Sequence, residues 1–241
     1  MRAGLSASSS SPPSNTACAA PAKPGHDARP DRDVTAEPIA RRYLTMPHAE
    51  AGMVVGLFGG SFNPPHEGHV LVSDIALRKL GLDQLWWMVT PGNPLKNHSN
   101  LAPLAERLAW SEAIARDPRV KVTAFEKTLG GSYTAKTLAR VKALNPKVHF
   151  IWIMGADNLK TFDRWQNWQG IANTFPIAVV DRPGATLSYL SSKMAQRFAF
   201  ARVDEDDAGV LWKRPAPAWT FLHGPRSTLS STALRDAKSP S

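Results

Sequence analysis

Cysteine is almost absent from this chain: its 241 residues include one, Cys18. A single thiol excludes an intrachain disulfide framework and fits a reducing, cytoplasmic setting. Cys18 lies in a disorder-like segment, so it suggests neither a metal site nor a catalytic thiol, and no protein-held metal is expected. Long apolar runs are also missing. None approaches the roughly 20 residues that span a bilayer, so no membrane partner is expected. Acidic residues are scarce beside basic ones, 20 Asp and Glu against 29 Lys and Arg, giving a formal net charge of +9. That surplus favours anionic ligands. It is scattered, however, with no dense basic block and no DNA- or RNA-binding motif. Nucleic acid is therefore not expected as a partner, and small polyanions such as nucleotides suit the charge better.

What is present divides the chain in two. Residues 1–51 hold a serine run (Ser8 to Ser11), Pro12-Pro13, and a mixture of Pro, Ala, Asp and Arg. Such a segment buries too little apolar surface to offset its ordering entropy. It reads as a disordered tail whose deletion as far as Met46 leaves stability and activity unchanged. It has no apolar centre for a secretory signal, and Asp27, Asp31, Asp33 and Glu37 argue against a transit peptide. Met46 is itself a candidate translation start. From 52 to 241 the apolar residues gather into short runs, and the chain's 43% apolar share is enough for a full core.

Within that domain strands and helices alternate. Val54 to Phe58, Gln84 to Val89, Val120 to Phe125, His149 to Met154, Ile177 to Val180 and Ala218 to Leu222 read as strands. Between them Val70 to Leu80, Leu104 to Arg116, Thr134 to Leu144, Asp157 to Phe162 and Leu190 to Phe200 carry helical spacing, and Ser231 to Arg235 starts a last helix. The alternation implies a parallel sheet covered on both faces, with ligands at the carboxyl ends of its strands.

The most informative stretch is Gly59-Gly60-Ser61-Phe62-Asn63-Pro64-Pro65-His66-Glu67-Gly68-His69. It joins the first strand to the first long helix. Glycines let backbone N–H groups approach an anion, and the helix start adds partial positive charge. His66 and His69, three apart, share one helix face. No Gly-Lys-Ser/Thr follows, so this is not a P-loop, and the Gly-x-Gly-x-x-Gly spacing of a dinucleotide fingerprint is absent. A tight turn with two surface histidines is the plainer reading. Further motifs follow other strands. Gly155 and Asp157 end the run Ile151 to Asp157, where Asp157 suits a ribose hydroxyl or a helix N-cap. Ser227 to Arg235 clusters hydroxyls before a short helix, a second candidate anion site.

The first string resembles the signature of the nucleotidyltransferases with an HxGH motif, and its Phe-Asn-Pro-Pro interior is most similar to bacterial nicotinate-nucleotide adenylyltransferases. Ser231-Thr232-Ala233-Leu234-Arg235 resembles their second signature, and Ser132 to Leu138 and Asp181 to Gly184 resemble further segments, with Lys136 where the family usually has an acid. The resemblance spans roughly Val54 to Arg235. It implies a doubly wound, Rossmann-like α/β fold, with a mostly parallel sheet and helices on both faces. It implies adenylyl transfer from ATP to nicotinate mononucleotide, with Mg2+ carried by the ATP phosphates. His66, His69 and Arg235 would be catalytic. Gly59, Gly60, Ser61, Phe62, Gly155, Asp157, Ser231 and Thr232 would line ATP. Trp165 would stack on the pyridine ring, backbone amides of Thr134 and Gln166 would take its carboxylate, and Lys96 would reach a phosphate. Core packing is the alternative for Trp165, and a solvated side chain for Lys96. Transfer to nicotinamide mononucleotide or phosphopantetheine, or a nucleotide-binding regulator without catalysis, are the alternative functions.

Overall fold

Six strands run in one direction and place all their carboxyl ends along a single edge. The computed structural model describes residues 38–92, 101–129, 133–181, 189 and 191–224. The strands are β1 (Val54–Gly60), β2 (Gln84–Val89), β3 (Val120–Thr123), β4 (His149–Gly155), β5 (Ile177–Val180) and β6 (Trp219–Leu222), in the order β3-β2-β1-β4-β5-β6. Every pairing is parallel. The register aligns Gly60 with Val89, Phe58 with Ile153 and Gly155 with Val180. Chain order reverses between β1 and β4, the switch point at which such sheets open a crevice.

The strands read as nearly continuous apolar runs because both faces are covered. Val55, Leu57, Trp86, Met88, Phe150 and Trp152 belong to one buried cluster. Their neighbours Val54, Phe58, Trp87, Val89, Ile151 and Ile153 belong to the other. Successive side chains alternate faces, so each strand feeds both layers. The helices are α1 (Arg41–Leu44), α2 (Glu67–Lys79), α3 (Leu104–Ile114), α4 (Thr134–Leu144), α5 (Ala156–Leu159), α6 (Trp168–Thr174) and α7 (Lys193–Arg197). Among the described residues no helix is long and apolar enough to cross a membrane.

The expected strands and long helices are present, with ends moved by a few residues. Two expected helices break up. The one beginning at Asp157 is only α5, followed by a 3-10 turn over Phe162–Arg164. That expected over Leu190 to Phe200 is α7 and a 3-10 turn at Ala199–Ala201. α6 falls between the elements expected from the sequence. The last expected helix, Ser231 to Arg235, lies outside the described residues.

The boundary at 51 needs correction. α1 packs on the domain: Tyr43 is 8% exposed and joins one core cluster, with Ile39 against it. The Tyr43 carbonyl accepts from the Ala124 N–H (2.7 Å) and the Thr123 hydroxyl (3.1 Å). One aromatic ring and two backbone anchors suffice to hold a segment whose composition is otherwise polar. Tyr43→Ala is therefore expected to lower unfolding free energy by about 2–4 kcal/mol, the usual cost of truncating a buried aromatic ring. Urea titration of the full chain measures it, and an unchanged midpoint would return this segment to the tail.

Candidate active site

The sheet edge at the switch point gathers most of the described residues singled out above. Gly59 and Gly60 end β1, Thr90 follows β2, Gly155 ends β4, and Asp181 follows β5. The Thr90 N–H donates to the Gly60 carbonyl (3.0 Å), tying the first two exits together.

His66 and His69 are not loose surface rings. His66 is the N-cap of α2, in extended backbone (φ −153°), and its Nδ1 accepts from the Gly68 N–H at 3.0 Å. His69 Nδ1 accepts from the His66 N–H at 3.2 Å. This is a capping box made of imidazoles, satisfying two backbone donors that a helix start leaves over. The rings lie 4.1 Å apart and both are buried. An Nδ1 that accepts holds no proton, so in the neutral ring the N–H is on Nε2. Both imidazoles are thus set as Nε2–H donors by the turn that begins the helix. The helix is anchored behind them: Trp87 Nε1–H donates to Ser73 Oγ, and Ser73 donates to the His69 carbonyl, each at 2.8 Å.

The loop between β1 and α2 is equally constrained. Phe62 has φ 46°, a left-handed conformation costly for a bulky residue. Its ring is fully buried, stacked on Trp87 at 5.0 Å and 4.7 Å from His69. The ring of Phe62 therefore packs inward, where it props the histidine. At Gly59 a Cβ would lie 2.6 Å from the Trp152 ring tip, so only glycine admits that indole.

On the far side of the switch point, Gly155 is the N-cap of α5 and the exposed Asp157 lies in its first turn, which removes the N-cap reading for Asp157. Thr134 is the first residue of α4, and Tyr133, the N-cap before it, is exposed. Trp165 is half-buried, edge-on to Phe162 (5.5 Å) and Trp152 (6.4 Å). It is anchored in the core and still partly open. Gln166 is exposed. Lys96, Ser231, Thr232 and Arg235 lie outside the described residues.

Two buried charged side chains near this edge carried no sequence signal. Arg107 on α3 reaches the loops after β1 and β2. Glu126, in the 3-10 turn Phe125–Leu129, accepts from the Thr137 hydroxyl of α4 at 2.8 Å. Both sit in amphipathic or polar stretches where a solvated charge is the ordinary reading. Only the tertiary fold closes over them.

A β1-loop-α2 unit with paired imidazole donors at the switch point of a parallel sheet defines a nucleotidyltransferase site. The cytidylyltransferase-like family model matches residues 57–237. A probable nicotinate-nucleotide adenylyltransferase of Rhizobium johnstonii is 76% identical over 196 residues, covering 81% of this chain and 98% of the relative. One from Brucella abortus is 66% identical over 183 residues, covering 76% of this chain and 94% of the relative. A solved nicotinic acid mononucleotide adenylyltransferase of Plasmodium falciparum, complexed with NaAD, shares the fold at TM-score 0.53. It is 18% identical and aligns over 76% of this chain and 83% of its own. The chain belongs to the nicotinate-nucleotide adenylyltransferase family.

Glu126 gives the site a pH signature. Burial pushes its carboxyl above the ordinary 4.5, and the hydroxyls of Thr137 and Thr90 offset this only in part. A carboxyl raised in the folded state contributes its stability below the unfolded pKa, and that contribution is lost as pH rises through the folded value. Glu126→Gln removes this term. Its stability relative to the native chain is expected to climb as pH rises above 4.5, read by urea titration at each pH. Parallel profiles for the two proteins would contradict the assignment.

Proposed function

We propose that this chain transfers the adenylyl group of ATP to nicotinate mononucleotide, releasing pyrophosphate and forming nicotinate adenine dinucleotide for NAD biosynthesis in the cytoplasm. The observation that carries the reading is the imidazole pair at the switch point, each ring committed through Nδ1 to the helix start. A phosphate oxygen of the mononucleotide attacks the α-phosphorus. The bond from that phosphorus to the bridging oxygen breaks, and the electron pair leaves with pyrophosphate. The nucleophile is already an anion, so no general base is needed. The protein has to align two anions and meet charge as it develops.

The residue types suit that task. His66 and His69 donate from Nε2 to phosphate oxygens, His69 to the transferring phosphoryl. The backbone from Gly59 to Phe62 follows the nucleotide, and Asp157 beside Gly155 takes a ribose hydroxyl. Ser231, Thr232 and Arg235 hold the outer phosphates, on the strength of their motif alone. Trp165 stacks on the pyridine ring, whose carboxylate meets the amides of Thr134 and Gln166, and Lys96 meets a phosphate. Histidines, hydroxyls and amides form a donor set for anions. Magnesium would enter with ATP as part of the substrate and would supply positive charge to its phosphates.

His69→Ala is expected to lower kcat by about two to three orders of magnitude, as loss of one such donor does. Pyrophosphate release beside circular dichroism checks it, and near-native turnover in a folded variant would remove His69 from the mechanism.

Trp165→Ala separates stacking from packing. Loss of the stacked ring, about 1 kcal/mol, is expected to raise KM for nicotinate mononucleotide about five-fold and leave KM for ATP unchanged. Equal damage to both constants with a lower Tm would make Trp165 a core residue only. Equal use of nicotinamide mononucleotide by the native enzyme would overturn the assigned specificity.

A further inference from the structure

The geometry points to Arg107 as a positioning residue for adenylyl transfer, an inference that rests on the function proposed above. Its side chain is 1% exposed, among the least accessible groups in the molecule. Its guanidinium spends its donors on backbone carbonyls of three segments. Nη1 donates to Ser61 O (2.7 Å) and Thr90 O (2.8 Å), Nη2 to Pro91 O (3.3 Å), and Nε to Ala102 O (2.9 Å). Ser61 belongs to the loop that runs into His66. Thr90 and Pro91 form the exit of β2, and Ala102 precedes α3. A second tie joins two of the same segments, from the Ala102 N–H to Asn63 Oδ1 (3.1 Å).

A guanidinium whose partners among the described residues are all carbonyls is an expensive arrangement, because its charge has left water and gained no carboxylate among them in return. Burial pushes its pKa down to about 10. A neutral side chain would fill the space at less cost. What it would lose is the planar fork that serves separate acceptors at fixed angles. The carbonyls so held belong to the β1 and β2 exits, beside the switch point. Arg107 therefore fixes the path from Ser61 to His66, and through it the two imidazoles. It touches no reacting atom in this scheme and acts through the loop. Thr90 is held from its hydroxyl as well, which donates to the Gly92 carbonyl (3.1 Å).

Arg107→Lys tests this in the full chain. Lysine keeps the charge, but a single ammonium cannot reproduce donors spread over three nitrogens. The expected result is a folded protein whose kcat, per folded molecule, falls about 10- to 100-fold, the order expected when donors are misplaced by about 1 Å. Both KM values are expected to stay within a few-fold. A merely structural arginine would lower Tm and leave kcat per folded molecule unchanged, and that result would overturn the inference. If Arg107→Lys does not fold, Arg107→Gln decides: its planar amide is neutral and keeps only two N–H donors. The same kcat loss without a KM change supports the inference, and a native kcat overturns it. The native enzyme in the same assay, ATP plus nicotinate mononucleotide, tests the function independently. No product there would defeat the function itself, whereas an active native enzyme beside an unimpaired variant would defeat only the role of Arg107.

Discussion

Parallelism is the constraint from which the rest follows. Each strand must be followed by a return crossing, so every connection starts at one edge of the sheet and every loop of interest leaves from there. Four chain segments separated by tens of residues thus meet around Gly60, Thr90, Gly155 and Asp181. The sheet needs two apolar faces to support this, and alternate residues of β1, β2 and β4 supply them. Chemistry in such a fold belongs to the edge, and the core consists of buried side chains that keep the edge rigid.

At that edge, one set of atoms meets a structural demand and, in the mechanism proposed above, a chemical one. The imidazoles of His66 and His69 complete the hydrogen bonding of the α2 start, work that a serine and a glutamate do in an ordinary capping box. Histidine in those roles leaves a second nitrogen, with opposite hydrogen-bonding character, on each ring. Phe62 has a similar double duty. Its strained backbone shapes the loop, while its ring, packed between Trp87 and His69, repays the strain with burial. Site geometry is thereby inherited from helix nucleation and core packing, not from flexible side chains.

Much of this was legible in the sequence, for physical reasons. Strands buried on both faces leave long apolar runs that no solvated segment imitates, and Gln84–Val89 and Ile177–Val180 were found end to end. The first motif was legible because its glycines, prolines and histidines each serve a local backbone need. Long-range features were hidden. Arg107 and Glu126 look solvated in one dimension and become buried only when α3 and the turn after β3 close over them. Tyr43 was hidden by the polar company it keeps. Asp157 suits a helix cap by residue type, yet the cap of α5 falls on Gly155, two residues earlier. Propensity locates a helix start only to that precision.

The placement of Tyr43 has a consequence beyond stability. β3 is the last strand on its side of the sheet, and a terminal strand offers unpaired backbone groups to any other extended chain. The Tyr43 carbonyl occupies the Ala124 N–H just past the end of β3, and α1 lies against the strand. α1 thus covers part of a margin that another chain would otherwise meet. Without it the fold and the site could persist, yet the protein would be more prone to self-association at high concentration.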